Sequence, residues 1–156
     1  MIHLNPDELE SIRVGKHFTL AEMVRSETAS RAGLSNLPTE QRIIDNLKAL
    51  CAHVLDPLRE ALGPVHILSG YRAPAVNAMI GGASSSQHLD GEAADLSVTG
   101  HTLDAVFAWL RANVPLDQVL REFPPAGWVH VSYGPRNRRQ ALVATKQDGK
   151  TVYSPA

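Results

Sequence analysis

The sequence predicts an α+β fold in which helices pack on a small, mainly antiparallel sheet. Three observations predict it. Ile43, Leu47, Leu50, Val54, Leu58 and Leu62 recur at three- and four-residue steps, the stripe of a helix buried on one face. Runs of strand character follow at 118–122, 128–133 and 140–145, parted by short turns at 123–127 and 134–137, as antiparallel neighbours require. Helices come first and strands mostly later, unlike the strict alternation that builds a parallel sheet. The chain is 156 residues long, which suits one domain with a substantial core.

Residues 1 to 17 read as an N-terminal arm leading to Phe18, with little periodicity. Thr19-Leu20-Ala21-Glu22 is a capping box, where hydroxyl and carboxylate each satisfy a free N–H at a helix start. The helix it opens should run to about Ala29, with a loop from Arg31 to Leu37. Pro38-Thr39 leads into the longest helix, about 39 to 61, and Pro57 inside it should kink or end it near Leu55-Asp56. Gly63-Pro64 closes that segment, and 65–69 reads as a strand running into Gly70-Tyr71-Arg72. Pro74 suits the first position of a short helix carrying Val76, Asn77 and Met79, which Gly81-Gly82 stops. A strand over 93–98 puts Asp95 on one face with Ala93 and Ser97, and turns Leu96 and Val98 to the core. Thr102 starts a helix over 103–113 that Pro115 closes, and the three later strands follow. Residues 135 to 156 form a C-terminal strand and tail.

Composition excludes several classes. With 15 basic and 16 acidic residues the net charge is −1, and Arg136-Asn137-Arg138-Arg139 is too small a basic cluster for a nucleic-acid footprint. The single cysteine, Cys51, falls in an amphipathic helical pattern and reads as a small buried hydrophobe. No stretch is long and apolar enough to span a membrane. The N-terminus lacks the basic start and apolar run of a secretory signal, so synthesis in the cytoplasm is expected, and a monomer is favoured.

The chemistry gathers around Ser84-Ser85-Ser86-Gln87-His88-Leu89-Asp90-Gly91-Glu92-Ala93-Ala94-Asp95. His88 and Asp95 offer an imidazole and a carboxylate, with small residues between them. The best third donor is His130, on a strand whose alternation puts Trp128, His130 and Ser132 on one face. Two histidines, one carboxylate and an open position describe a catalytic zinc centre rather than a closed structural one. His3, His17, His53 and His101 read as ordinary surface or core residues, and His66 as a candidate to orient a ligand.

Ser86-x-His88-x-x-Gly91-x-Ala93-x-Asp95, preceded by Ser69-Gly70-Tyr71-Arg72 and followed by Trp128-Val129-His130, resembles the zinc D-alanyl-D-alanine carboxypeptidase family. Phe18-Thr19-Leu20-x-Glu22, Asn36-x-Pro38, Leu55-Asp56-Pro57-Leu58-Arg59 and Asn77-x-x-Ile80-Gly81-Gly82 extend the likeness to its small phage-type murein peptidases, over about residues 17 to 134. The resemblance implies that His88, Asp95 and His130 hold Zn²⁺ with water in the fourth position. It implies that Arg72 meets the substrate carboxylate or the oxyanion, with Tyr71 and Ser86 beside the substrate; a turn-forming role for Ser86 is an equal alternative. Where many relatives carry an acid three residues before the last histidine, this chain has Gly127, and Glu122 is the expected general base, with Asp90 and Glu92 as weaker options. The implied reaction is hydrolysis of an amide bond in the peptidoglycan peptide stem, by a D,D-carboxypeptidase or an endopeptidase. An endolysin released at phage or prophage lysis, or a virion enzyme, fits a leaderless protein of this kind, and a cytoplasmic recycling enzyme fits equally. Gly127 and the Pro124-Pro125 turn motivate the alternative, a non-catalytic cell-wall-binding or virion-associated protein that keeps the fold.

Overall fold

Proline and capping chemistry shape the N-terminal arm. Asn5 caps a 3-10 turn over Pro6–Ser11, and a β-bridge between Arg13 and Thr19 ties the arm to the first helix. The structure, a computed structural model, describes residues 1–156. The capping box forms as expected and opens α1 (Leu20–Val24). Two helices replace the single one expected to reach Ala29. Arg25 is extended, and the Ser26 hydroxyl accepts the Ala29 N–H to start α2 (Glu27–Ala32), which Gly33 ends in the left-handed conformation. A side chain able to satisfy a free N–H restarts the helix in a new direction.

Pro57 also acts differently from expectation. α3 (Gln41–Leu50), a π-helical stretch over Cys51–Leu55 and α4 (Asp56–Leu62) follow without a break. Pro57 has no N–H for the preceding turn, and the widened turn, in which the Asp56 N–H donates to the Cys51 carbonyl, lets the helix continue through it. The buried face therefore persists from Ile43 to Leu58.

The remaining elements are β1 (Val65–Ser69), α5 (Pro74–Met79), a 3-10 turn over Gln87–Asp90, β2 (Ala93–Val98), α6 (Leu103–Asn113), β3 (Gln118–Glu122), β4 (Trp128–Ser132), β5 (Gln140–Gln147) and β6 (Lys150–Pro155). The six strands make one sheet in the order β1-β2-β4-β3-β5-β6, antiparallel throughout except for the parallel pair β3 and β5. β6 was not expected. Asp148-Gly149, both at positive φ, form the two-residue turn that pairs β6 with β5, and Asp-Gly between strands is the sequence signal for it.

Register assigns the two faces of the sheet. Ile67, Leu96 and Val129 pair in one row and Ala94, Val131 and Val119 in another; all six belong to the core that includes Leu47, Leu50, Leu58 and Leu110 from the helices. The alternate residues make rows on the opposite face. Ser69, Asp95, His130, Leu120 and Leu142 pair in succession across five strands, and Trp128, Glu122, Ala144 and Tyr153 across four. No helix is long and apolar enough to cross a membrane.

Candidate metal centre

His88, Asp95 and His130 converge, each offering one ligand atom, all within 4.8 Å of one another. Asp95 and His130 meet because they are directly paired on β2 and β4, and His130 Nδ1 lies 2.9 Å from Asp95 Oδ1. His88 arrives from the 3-10 turn, with Nε2 3.4 Å from Asp95 Oδ2. Its other nitrogen, Nδ1, donates to the Gly70 carbonyl at 2.7 Å. That bond fixes the tautomer and leaves the Nε2 lone pair facing Asp95, as in metal-ligating histidines. Burial raises the pKa of Asp95, but the opposing pull of His88 and His130 prevails and holds it below the usual carboxylate range. Two imidazole nitrogens and an ionised carboxylate on one small volume form a donor set that fits zinc.

The loop 70–72 is held from three sides. The Arg72 N–H donates to the His88 carbonyl and the Tyr71 N–H to that of Met23. Buried Asn36 donates through Nδ2 to the Val24 and Tyr71 carbonyls and accepts the Ala73 N–H. These bonds fix where Arg72 leaves the chain. Arg72 Nη1 then donates to Asn77 Oδ1 at 2.9 Å, while Nη2 stands 4.0 Å from Asp95 Oδ2. Burial lowers the Arg72 pKa against the pull of Asp95 and Glu122. Asn77 is itself locked by donation to the Ala83 carbonyl, and a Cβ at Gly82 would run into its side chain.

Glu122 ends β3 opposite Trp128 and one step diagonal to His130, with Oε1 3.9 Å from His130 Nδ1. Burial and the charge of Asp95 raise its pKa, against His130, Trp128 and Arg72. Gly127 packs directly behind Glu122. Any Cβ at Gly127 would collide with the Glu122 backbone carbonyl, so the Phe123–Gly127 turn admits no larger side chain there. Asp90 instead pairs with Arg42 at 2.8 Å, and Glu92 accepts from Gln87 and borders Gly134.

Other expected residues divide. Ser86 lines the cleft, and its hydroxyl accepts the His88 N–H as the cap of the 3-10 turn. Tyr71 is 4% exposed and part of the core, so it reaches the cleft as a wall beside Arg72. His66 is exposed and makes no hydrogen bond to His88 or His130; the Gly70 carbonyl orients His88 instead. Sequence reading passed over Gln87 and Asp117. Fully buried Asp117 accepts from Gln87 Nε2 at 2.9 Å and from the Arg138 N–H, Nε and Nη2, which ties the turn bearing His88 to the start of β3.

Two grooves meet at these residues. One, of about 690 Å³, runs along β1 and α2; the other, of about 570 Å³, runs over β3, β5 and β6, and Arg72, Asp95 and Trp128 line both. No curated protein matches the chain. The Peptidase M15 family model matches residues 16–132, a span that contains all three clustered donors, Arg72 and Glu122, and the chain therefore belongs to this family of zinc-dependent peptidases.

Proposed function

We propose that this protein hydrolyses an amide bond in the peptide stem of bacterial peptidoglycan, using zinc held by His88, Asp95 and His130. The observation that carries the reading is the meeting, on one sheet face, of this donor set with a half-buried carboxylate and a half-buried guanidinium: Glu122 3.9 Å from His130 Nδ1 and Arg72 4.0 Å from Asp95. When bound, zinc supplies Lewis acidity, lowering the pKa of a coordinated water and polarising the scissile carbonyl.

The chain's own residues supply the rest. Glu122 takes the proton of the attacking water and returns it to the departing amine, a role suited to a carboxylate whose proton affinity is raised by burial. Arg72, anchored by Asn77, presents its remaining N–H groups to the cleft, where they stabilise charge on the carbonyl oxygen. The Gly70 carbonyl holds His88 in one tautomer. The chemistry of a peptide stem, short and carboxylate-bearing, matches a cleft lined by Arg72, Arg136 and Arg138.

The test combines metal analysis with muropeptide digestion. Purified protein should bind about one zinc, and mass spectrometry should detect cleaved stem peptides that are missing with His88→Ala. A zinc-loaded wild type that leaves every stem peptide intact, while Glu122→Gln behaves identically, would return the protein to the wall-binding class.

A further inference from the structure

The metal centre lies part-way along a cleft rather than at its end. In the sheet order β1-β2-β4-β3-β5-β6, the donors Asp95 and His130 occupy β2 and β4. The larger groove extends from them towards the β1 edge, past His66, Leu68 and Ile80 to Arg25. The other extends the opposite way, past Gln118 and Leu142 to Tyr153. A β-bulge at Leu68, where pairing slips between Ile67 and Ser69, turns the edge strand locally, and Leu68 and Ile80 are about half exposed, at 47% and 48%. The far wall on the other side comes from β5 and β6, beyond the family match at residue 132. Tyr153 sits there 59% exposed, in the same cross-sheet row as Glu122 with only Ala144 between them.

An enzyme that removes a terminal residue receives its carboxylate on a cation or on backbone N–H groups at a closed end, and the arginines further along the two grooves, Arg25 and Arg136, are exposed rather than enclosed. Arg72 does not stand at an end. It lines both grooves, its Nη1 is engaged by Asn77, and its Nη2 faces Asp95. Each groove alone has the size that encloses a drug-sized ligand, more than one terminal alanine fills.

We infer that the peptide lies across the metal centre with several residues bound on each side, so that the protein is an endopeptidase cutting an internal amide bond and independent of a free terminal carboxylate. This rests on the peptidase reading above and narrows it. One water is consumed; a carbon–oxygen bond forms at the scissile carbonyl, the carbon–nitrogen bond breaks, the amine side takes up a proton and the acyl side leaves as a carboxylate.

Two synthetic stem peptides test it, identical except that one ends in a free D-alanine carboxylate and the other in the amide. With zinc-loaded wild type, kcat/KM for the two should agree within about threefold, and both products should be longer than one residue. Filling one groove with Leu68→Trp, or stripping the other with Tyr153→Ala, should each raise KM at least about fivefold with a smaller change in kcat. Calorimetry on zinc-loaded Glu122→Gln should show that acid and amide bind alike. Release of single alanine with the amide more than about 100-fold poorer would overturn the inference and leave the peptidase reading standing, as would a KM effect confined to one groove. A protein that neither cleaves nor binds any stem peptide would sink both.

Discussion

The two halves of the site are held by different means. Asp95 and His130 are fixed by direct strand pairing, and His88 by the Gly70 carbonyl and by a turn zipped to Arg72. Glu122 sits instead at a strand end, beside a turn, and its carboxylate faces other side chains: Asp95, His130, Trp128 and Arg72. The donor half is thus preorganised by backbone, whereas the acid is positioned by its neighbours. A metal ligand needs a fixed lone pair, while a proton carrier needs two accessible charge states, so the difference suits the roles proposed above for the two halves.

Separating the halves gives the largest expected effects. His88→Ala should abolish stoichiometric zinc and drop hydrolysis to background. Glu122→Gln should keep about one zinc per chain yet lower kcat by roughly 10²–10⁴-fold. Metal analysis beside stopped assays checks both, and a Glu122→Gln enzyme within tenfold of wild type would move the base to another carboxylate.

A smaller effect tests how Gly127 shapes the turn behind Glu122. Gly127→Glu places an acid three residues before His130, but its Cβ meets the Glu122 carbonyl. We expect about 1–3 kcal/mol of destabilisation from overpacking, read from the urea midpoint, and no gain in rate. An unchanged midpoint would mean that the turn yields, and that the glycine is not required by it.

This asymmetry also governs what could be read in the sequence. The convergence of His88, Asp95 and His130 was legible because period-two strands and a short turn fix side-chain direction, and the family resemblance singled these three out. β1 and α6 were likewise legible, bounded by Gly63-Pro64 before one and Thr102 and Pro115 around the other. The break at Ser26 and the continuity through Pro57 were not, since each turns on one side chain or one widened turn outweighing a general propensity. The parallel β3–β5 pair was beyond local pattern, because it depends on a connection crossing to a distant register. Asn77, Gln87 and Asp117 were hidden for another reason: polar residues that act through one buried contact leave no periodic trace.

Asn77 gives the next prediction. Asn77→Ala removes the acceptor for Arg72 Nη1 and leaves the Ala83 carbonyl without its donor. Lost buried hydrogen bonds cost about 1–3 kcal/mol, and KM should rise more than kcat falls, because Arg72 loses its direction and not its charge. Asn77→Asp keeps the acceptor and loses the donor, so it should recover KM but not stability. Equal KM values for the two variants would detach Asn77 from Arg72.

The smallest expected effect on catalysis, and the clearest on acid stability, comes from Asp117, which reaches the donors only through Gln87. The hydrogen bonds of Arg138 outweigh burial and hold its pKa down at about 2. A carboxyl whose folded pKa is depressed stabilises the fold fully above its ordinary value of about 3.9 and loses that contribution as pH falls towards the folded value. Asp117→Asn should therefore cost about 1.5–3 kcal/mol at pH 7, with the gap to wild type shrinking between about pH 4 and pH 2 in urea titrations. Because Gln87 hangs from the same carboxylate and precedes His88, zinc affinity should weaken as well. The loss should stay below about tenfold, since the Gly70 carbonyl still orients His88. A larger loss would mean that the donor half owes its geometry to the Asp117–Arg138 ion pair as much as to strand register.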